Sequence, residues 1–232
     1  MRFAREAWPF VLPFLAAAAV FWPLGWHVAA GTMAVLGVLL LLFFRDPTRN
    51  YEGPPDVVLS PAEGTVMAVE VITDSALGEE AWRRISIFLS VFNVHTQKTP
   101  VEGVVIGSIA TPGKKLPAFR KEAGDVNENH LTLLRRPQGD LIAVRQIAGL
   151  VARRVVAHVQ AGQRVIQGEP LGLIKFGSRV DVFLPLSYDP LVEKGQRVIS
   201  GETPIAMPTD PSTPPPEDFP VRRPAVRTGD SS

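Results

Sequence analysis

The sequence predicts a mainly β protein, in which a barrel-sandwich-like domain follows an amino-terminal transmembrane helical hairpin. Three observations predict this fold class. Residues 7–44 contain no Asp, Glu, Lys or Arg. Short runs rich in Val, Ile and Leu follow, separated by Gly, Pro and Asn. Two internal repeats each place a turn before a β-branched strand. We therefore divide the chain into a membrane-anchoring hairpin (1–45), a β-rich domain (46–208) and a tail (209–232).

The composition narrows the possible chemistry. The 232 residues include 24 basic and 23 acidic side chains, a net charge of +1, which gives no reason to expect a nucleic-acid partner. Cysteine is absent, and this excludes disulfides, thiolate metal sites and a cysteine nucleophile. Since no zinc-ligand spacing, phosphate-binding loop or dinucleotide fingerprint occurs, no metal site is predicted.

The predicted hairpin has two apolar stretches, residues 7–24 and 28–44, on either side of a turn-like break. A bilayer-spanning helix needs about 20 residues, with a range of roughly 17–25. Arginines flank both ends, so the positive-inside rule places the β-rich domain on the cytoplasmic side of the cell membrane. A hairpin buried in the core is one alternative. A cleaved signal peptide ending near residues 29–30 is another, but it leaves the second stretch unexplained.

The remaining elements follow from the apolar runs and the prolines. Residues 75–82 predict a short helix. Eight prolines between residues 204 and 224, with few apolar neighbours, predict a disordered tail over 209–232. Strands are predicted from hydrophobicity and period-2 alternation at 57–59, 64–72, 85–91, 101–109, 131–134, 141–147, 153–159, 171–176 and 180–184.

The internal repeats indicate paired strand–turn units. Residues 162–169 recur as 195–202, and residues 60–66 are echoed by 99–105. Two copies are too few for a solenoid, so we expect the units to close a sandwich or barrel. The same glycine pattern occurs in lipoyl and biotinyl carrier domains. The nearest candidate for a carrier lysine, Lys175, lacks the usual methionine neighbour, so a carrier function is not predicted.

The spacing of polar residues does not by itself select a catalytic site. His95 stands at the exit of an apolar run and precedes a polar bend, which suits either an acid–base residue or an ordinary buried histidine. Ser178 follows a glycine at the end of another run, but Gly-Ser also occurs at residues 107–108. A serine needs an activating base to be a nucleophile.

Six segments single out His95 and Ser178: Phe-Phe-Arg-Asp-Pro-Thr-Arg at 43–49, Ser-Pro-Ala-Glu-Gly at 60–64, and residues 91–103, 124–129, 146–155 and 168–185. The most specific of them contains Phe-Gly-Ser at 176–178. Together these segments resemble the short form of the pyruvoyl-dependent phosphatidylserine decarboxylase family, and the similarity covers most of residues 40–206.

The resemblance implies a proenzyme that cuts itself between Gly177 and Ser178. The products would be a β chain, 1–177, and an α chain, 178–232, which form a heterodimer. The α chain would begin with a pyruvoyl group made from Ser178. That cofactor would form a Schiff base with phosphatidylserine in the bilayer and accept the electrons released as CO2 leaves, which yields phosphatidylethanolamine.

The resemblance also assigns roles to two further residues. His95 would be the base of self-cleavage and the acid in decarboxylation, and a carboxylate would orient its imidazole. The family usually has Asp at that position, whereas this chain has Glu63. A non-enzymatic membrane-anchored adaptor with a lipoyl-like domain and an inactive relative of the decarboxylases remain as alternatives. A turn residue without a catalytic role is the competing interpretation of Glu63.

Overall fold

The computed structural model describes residues 2–114, 116–120, 122–150, 155–174 and 177–209. The predicted tail lies outside these residues, apart from its first position. Within the described ranges the α-helices are α1 (Trp8–Phe21), α2 (His27–Phe43) and α3 (Ala123–Val126). Its strands are β1 (Arg2–Phe3), β2 (Arg45–Asp46), β3 (Val58–Leu59), β4 (Gly64–Asp74), β5 (Gly78–Leu89), β6 (Thr96–Lys98), β7 (Gly103–Thr111), β8 (Asn129–Arg135), β9 (Leu141–Ile147), β10 (Val155–Ala157), β11 (Arg164–Val165), β12 (Pro170–Ile174), β13 (Ser178–Leu184), β14 (Tyr188–Pro190), β15 (Arg197–Val198) and β16 (Pro204–Pro208).

Helices α1 and α2 form the predicted hairpin. The turn between them uses Gly25 at φ 79°, a conformation that a side chain would disfavour. Gly37 lets α2 approach α1, because a Cβ there would lie 3.1 Å from Leu15 Cδ2. Strands β1 and β2 pair in an antiparallel ladder, so both ends of the hairpin return to the same place on the β-rich domain.

The prediction that these helices cross the membrane is not supported. Helix α1 has 14 residues and α2 has 17, because the turn between them takes up the end of the first apolar stretch and the second stretch is itself short. At 1.5 Å per residue they rise about 21 and 26 Å, less than the roughly 30 Å of a bilayer's hydrocarbon core. None of the helices in the part of the chain described here is long and apolar enough for a membrane crossing.

The β-rich domain contains a curled antiparallel sheet of eight strands in the order β11-β7-β8-β9-β13-β5-β4-β15. One face packs on two smaller sheets, β10-β12-β6 and β14-β16-β3, and encloses the main core, which includes Ile85, Ile142 and Val180. The other face carries a second apolar cluster around Trp82 and Phe183. The mainly β class is therefore confirmed.

The sequence repeats form equivalent structures. Val105 on β7 exchanges backbone hydrogen bonds of 2.7 and 2.9 Å with the turn residues 162–163, and Val66 on β4 makes the same pair, 2.8 and 2.9 Å, with 195–196. Strand β11 then pairs with β7, and β15 with β4. Each unit contributes one three-stranded sheet. The repeats thus form the two related ends of the large sheet, as paired strand–turn units should.

The predicted short helix at 75–82 is wrong. Asp74 starts a turn in which its Oδ1 accepts the Ala76 N–H at 3.0 Å and its carbonyl accepts the Leu77 N–H at 2.9 Å. The chain then enters β5 at Gly78, whose φ is 102°. Trp82 is buried against the second apolar cluster. Tertiary packing therefore overrides the weak local helix preference.

Candidate active site

Ser178 is the first residue of β13, a central strand of the large sheet. It pairs with Leu89 at the end of β5, and the following residues pair with β9 on the other side. Its side chain is buried, and its hydroxyl has no hydrogen-bond partner among the described residues. Leaving a buried hydroxyl unpaired costs roughly 1–3 kcal/mol. A buried hydroxyl without a partner calls for an explanation, and a catalytic role is one.

His95 is fully buried at the entry to β6. Its Nδ1 lies 2.8 Å from the carbonyl oxygen of Asn93. Because a carbonyl can only accept, Nδ1 carries the proton and Nε2 bears the lone pair. That Nε2 is buried and has no partner in the described part of the chain. Burial lowers the pKa of His95 to about 4, helped by the charge of Arg45 and opposed by the Asn93 hydrogen bond and Glu63. The imidazole is thus neutral at physiological pH.

Two neighbouring crossings place Ser178 and His95 in the same region. Residues 90–95 connect β5 in the large sheet to β6 in a small one. Residues 175–177 connect β12, which pairs with β6, to β13, which pairs with β5. The Ile174 N–H donates to the His95 carbonyl at 3.4 Å. His95 lies where the first connection enters the small sheet, and Ser178 lies where the second connection enters the large sheet. The two connections are neighbours, and no hydrogen bond joins the two side chains.

Glu63 contacts the loop before His95 and not the imidazole. It forms an ion pair with Arg49 and accepts the Val94 N–H at 3.3 Å and the Asn93 Nδ2 at 3.5 Å through Oε1. Burial raises the pKa of Glu63, but these donors and the Arg49 charge outweigh burial and hold it below its usual value. The expected bond from Glu63 to His95 is not formed. The carbonyl of Asn93 occupies that place, so Glu63 can orient the imidazole only through the loop.

Side chains from the end of α2 and from the segment after it contact His95 and the loop before it. The sequence reasoning missed these contacts. The ring of Phe43, the last residue of α2, packs 4.1 Å from the ring of His95. Arg45 donates to the Phe92 carbonyl at 2.8 Å. Arg49 binds Glu63 and donates to the Ser200 carbonyl at 3.0 Å. This segment matched the family motif, but nothing in its periodicity indicated that it covers the histidine.

A pair of buried amides fixes the backbone of His95. Gln97 Nε2 donates to the His95 carbonyl at 2.7 Å, and Gln146 Nε2 donates to Gln97 Oε1 at 2.8 Å. The direction of both amides follows from the carbonyl, which can only accept. Gln146 Oε1 is left buried without a partner among the described residues. Gly172 makes room for this amide, since a Cβ there would lie 2.8 Å from Gln146 Nε2.

The opposite face of β13 carries a buried ion pair. Arg179 binds Asp181 through two bonds of 2.6 Å, and its Nη1 donates to the Arg120 carbonyl at 3.4 Å. A cleft of about 750 Å³ on this face is lined in part by Arg84, Arg179 and Phe119. Side chains alternate along a strand, so the hydroxyl of Ser178 points away from this cleft.

Because Glu63 binds the loop before His95, its substitution gives a testable prediction. Glu63→Gln keeps the shape but removes the charge that binds Arg49, and it leaves that guanidinium without its main partner. Hydrogen bonds to charged groups contribute about 1.5–3 kcal/mol each. We expect self-cleavage, followed on denaturing gels, to slow roughly tenfold because the loop no longer fixes His95.

A matched control is Glu70→Gln, which also removes a carboxylate from an arginine 14 residues away, here Arg84 on the large sheet. We expect this control to cut at the unchanged rate. Equal slowing of both variants would show that loss of an ion pair in general, and not the position of His95, limits the reaction.

Comparison with known proteins identifies the family of this chain. The family model described as phosphatidylserine decarboxylase matches residues 36–206. Three similar proteins bear the name phosphatidylserine decarboxylase proenzyme. That of Magnetococcus marinus is 39% identical, covering 86% of this chain and 92% of its own. The corresponding values are 44%, 79% and 78% for Erythrobacter litoralis, and 43%, 87% and 85% for Paramagnetospirillum magneticum. Because the match extends over most of both chains, this chain belongs to the phosphatidylserine decarboxylase family.

Proposed function

We propose that this chain is a proenzyme that cuts itself between Gly177 and Ser178 and then converts phosphatidylserine to phosphatidylethanolamine and CO2. The observation that carries the proposal is the pair of buried groups without partners, the hydroxyl of Ser178 and Nε2 of His95. A nucleophile and a deprotonated base are both buried in one region of a chain that belongs to this family. The names of its relatives support the substrate and the proenzyme state.

Self-cleavage needs only groups that the chain contains. The Ser178 Oγ attacks the Gly177 carbonyl carbon while His95 Nε2 accepts the hydroxyl proton. The C–N bond then breaks, the amide nitrogen takes up the proton, and Gly177 is held as an ester on Ser178. Loss of the Ser178 α-proton and breakage of the Cβ–Oγ bond release Gly177 as a carboxylate. Water then removes the nitrogen as ammonia and leaves a keto acid at residue 178.

The position of Ser178 suits a pyruvoyl group. Residue 178 is buried at the start of a strand that is paired on both sides, and its hydroxyl occupies no structural hydrogen bond. In the conversion the hydroxyl and the amide nitrogen leave, Cβ becomes a methyl group and Cα becomes the keto carbon, so loss of the hydroxyl breaks no hydrogen bond described here. When formed, the group supplies an electron sink for the electrons of the departing carboxylate. His95 would hold the proton that the substrate carbon needs afterwards.

The two chains would remain together after the cut. Strand β13 lies between β5 and β9, β15 pairs with β4, and β16 pairs with β3. Each of these contacts joins the α chain, 178–232, to the β chain, 1–177. A stable heterodimer of the two fragments is the expected product.

A denaturing gel together with an activity assay tests this proposal. Purified protein should separate into two fragments, the smaller with a blocked amino terminus and a mass that fits a pyruvoyl group on residues 178–232. The same preparation should release CO2 from phosphatidylserine vesicles. An intact chain without activity would favour an adaptor or an inactive relative. A free amino terminus in an active enzyme would contradict the pyruvoyl group.

We also propose that the hairpin embeds in the cell membrane without crossing it, with the β-rich domain on the cytoplasmic side. Residues 7–44 lack charges, and many of their large apolar side chains are exposed, among them Val28, Val35 and Leu39. Exposed apolar surface of this extent marks a membrane or protein contact. Glu6 binds His158 at 2.9 Å, which fixes the hairpin on the domain that would act on the lipid.

Vesicle flotation tests the membrane contact. Val35→Glu with Leu39→Glu puts two charges on exposed positions of α2, where burial in lipid becomes costly. We expect this variant to lose most of its binding to vesicles of phosphatidylserine and phosphatidylethanolamine. The control, Val71→Glu with Ile166→Glu, places charges on equally exposed positions of the β-rich domain and should float with the vesicles. Full binding by the α2 variant would exclude the hairpin as the anchor.

A further inference from the structure

The carbonyl group of Gly177 lies directly against the backbone of Gly149. A Cβ at position 149 would stand 1.9 Å from the Gly177 carbonyl oxygen and 3.1 Å from its carbon. Real Cβ atoms do not approach other atoms within 3.0 Å, so any side chain there would force the carbonyl to move. The carbonyl that would be cut therefore occupies a slot that exists because residue 149 has no side chain.

The second wall of the slot is Ala118. The Ala118 Cβ lies 3.4 Å from the point that a Cβ of residue 149 would occupy, and Ala118 is buried. A side chain at position 149 would therefore meet the Gly177 carbonyl on one side and Ala118 on another. The absence of that side chain is what lets the carbonyl take this place.

Asn127 fixes both walls relative to one another. Its Nδ2 donates to the carbonyl of Ala148, next to Gly149, at 2.7 Å and to the carbonyl of Leu116 at 2.7 Å. Its Oδ1 accepts the Leu116 N–H at 2.8 Å. All of its side-chain donors and its acceptor are therefore used to connect the loop that carries Ala118 with the end of β9. Asn127 is almost completely buried, which strengthens these bonds.

We infer that Gly149 is a positioning residue for self-cleavage, because it lets the scissile carbonyl lie in a rigid slot closed by Ala118 and tied by Asn127. This inference rests on the proposed self-cleavage. Attack by the adjoining hydroxyl forms a five-membered ring, which closes only when the carbonyl carbon is presented at the correct angle. A displacement of 1 Å can slow a positioned reaction about 100-fold. The slot restricts the carbonyl to one orientation before the reaction begins.

The test is Gly149→Ala, with self-cleavage followed on gels. We expect at least a 100-fold slower cut. Hydroxylamine, which cleaves the ester formed after attack, should release no fragments, because attack itself fails. A second variant, Asn127→Asp, removes the two donors while keeping the size, and it should also cut more slowly.

The melting temperatures are compared in proteins that carry Ser178→Ala and therefore stay uncut. Gly103→Ala serves as the control because its Cβ would lie 2.3 Å from the Arg135 carbonyl oxygen, which is also a clash with the backbone, at the first residue of β7. In Ser178→Ala protein, we expect Gly149→Ala to lower the melting temperature no more than Gly103→Ala does. In a chain that keeps Ser178, the Gly103→Ala variant should still cut itself.

Each other outcome overturns a distinct claim. Cutting of Gly149→Ala at the wild-type rate, or release of fragments by hydroxylamine, would overturn the positioning function and leave the proposed function intact. A much larger loss of stability for Gly149→Ala than for Gly103→Ala would make it a folding residue. If Ser178→Ala protein were cut, the proposed function itself would fail.

Discussion

Ser178→Ala should leave one uncut chain with no decarboxylase activity. The variant lacks the only oxygen that can attack the preceding carbonyl, and the side chain from which the pyruvoyl group would be made. Both losses are complete, so no fragment should form on prolonged incubation. Denaturing gels and CO2 release from phosphatidylserine vesicles measure the two effects. The control is Ser108→Ala, which alters the other Gly-Ser pair and removes hydrogen bonds to His130 and Val159, yet should be cut.

The same variant should be more stable than its serine parent. The hydroxyl of Ser178 is buried and unpaired in the described structure, so its removal relieves roughly 1 kcal/mol of desolvation cost. For a chain of this size that corresponds to about 2–4 °C in melting temperature. The comparison requires two uncut proteins, His95→Gln with and without Ser178→Ala. A lower melting temperature for the double variant would mean that the hydroxyl has a structural partner.

His95→Gln should slow self-cleavage by about 10² to 10⁴, the usual contribution of a positioned base. Glutamine fills most of the space of the imidazole but cannot accept a proton. Gels taken over hours to days measure the rate. The control is His130→Gln, since His130 is also buried but bonds to Ser108 at 2.9 Å and has no function in the proposed reaction. A His95→Gln protein that cuts within tenfold of the wild-type rate would exclude His95 as the base.

The pH dependence follows from the same residue. The pKa of His95 is lowered to about 4 in the folded chain, so the base is neutral above pH 6, and self-cleavage should be constant between pH 6 and 8. Protonation should halve the rate near pH 4. Between pH 4 and about 6.5, the ordinary pKa of histidine, the imidazole of His95 is protonated to a greater extent in the unfolded chain than in the folded chain. Ser178→Ala protein should therefore lose stability as the pH falls through this range, and the loss should be smaller with His95→Gln.

The sequence predicts those parts of the fold that depend on local patterns. Apolar runs separated by glycine and proline indicate most strands, because burying one face of a sheet requires that pattern. The repeats at 162–169 and 195–202 predict equivalent turns, since identical glycines adopt the same backbone, at φ 90° for Gly162 and 94° for Gly195. These features need no knowledge of distant contacts.

The site depends on contacts that no local pattern contains. Glu63 binds Arg49 and a loop 30 residues away, so its distance from the imidazole could not be derived from its position in a motif. Gly149 contacts Gly177 only because β9 and β13 pair. The family resemblance identifies Ser178 and His95 as site residues, and their roles remain predictions. The structure adds the tautomer of His95 and the slot for the carbonyl.

Strands β13, β15 and β16 pair with strands that precede residue 177. The proposed cut would therefore turn refolding from a unimolecular into a bimolecular reaction. Before the cut, refolding is unimolecular and its yield is independent of dilution. After the cut, denatured fragments must find one another, so recovery falls as the protein is diluted. A protein cut as proposed would therefore depend on slow unfolding rather than on renaturation. A brief heat shock followed by dilution should inactivate the cut protein more than the uncut Ser178→Ala protein.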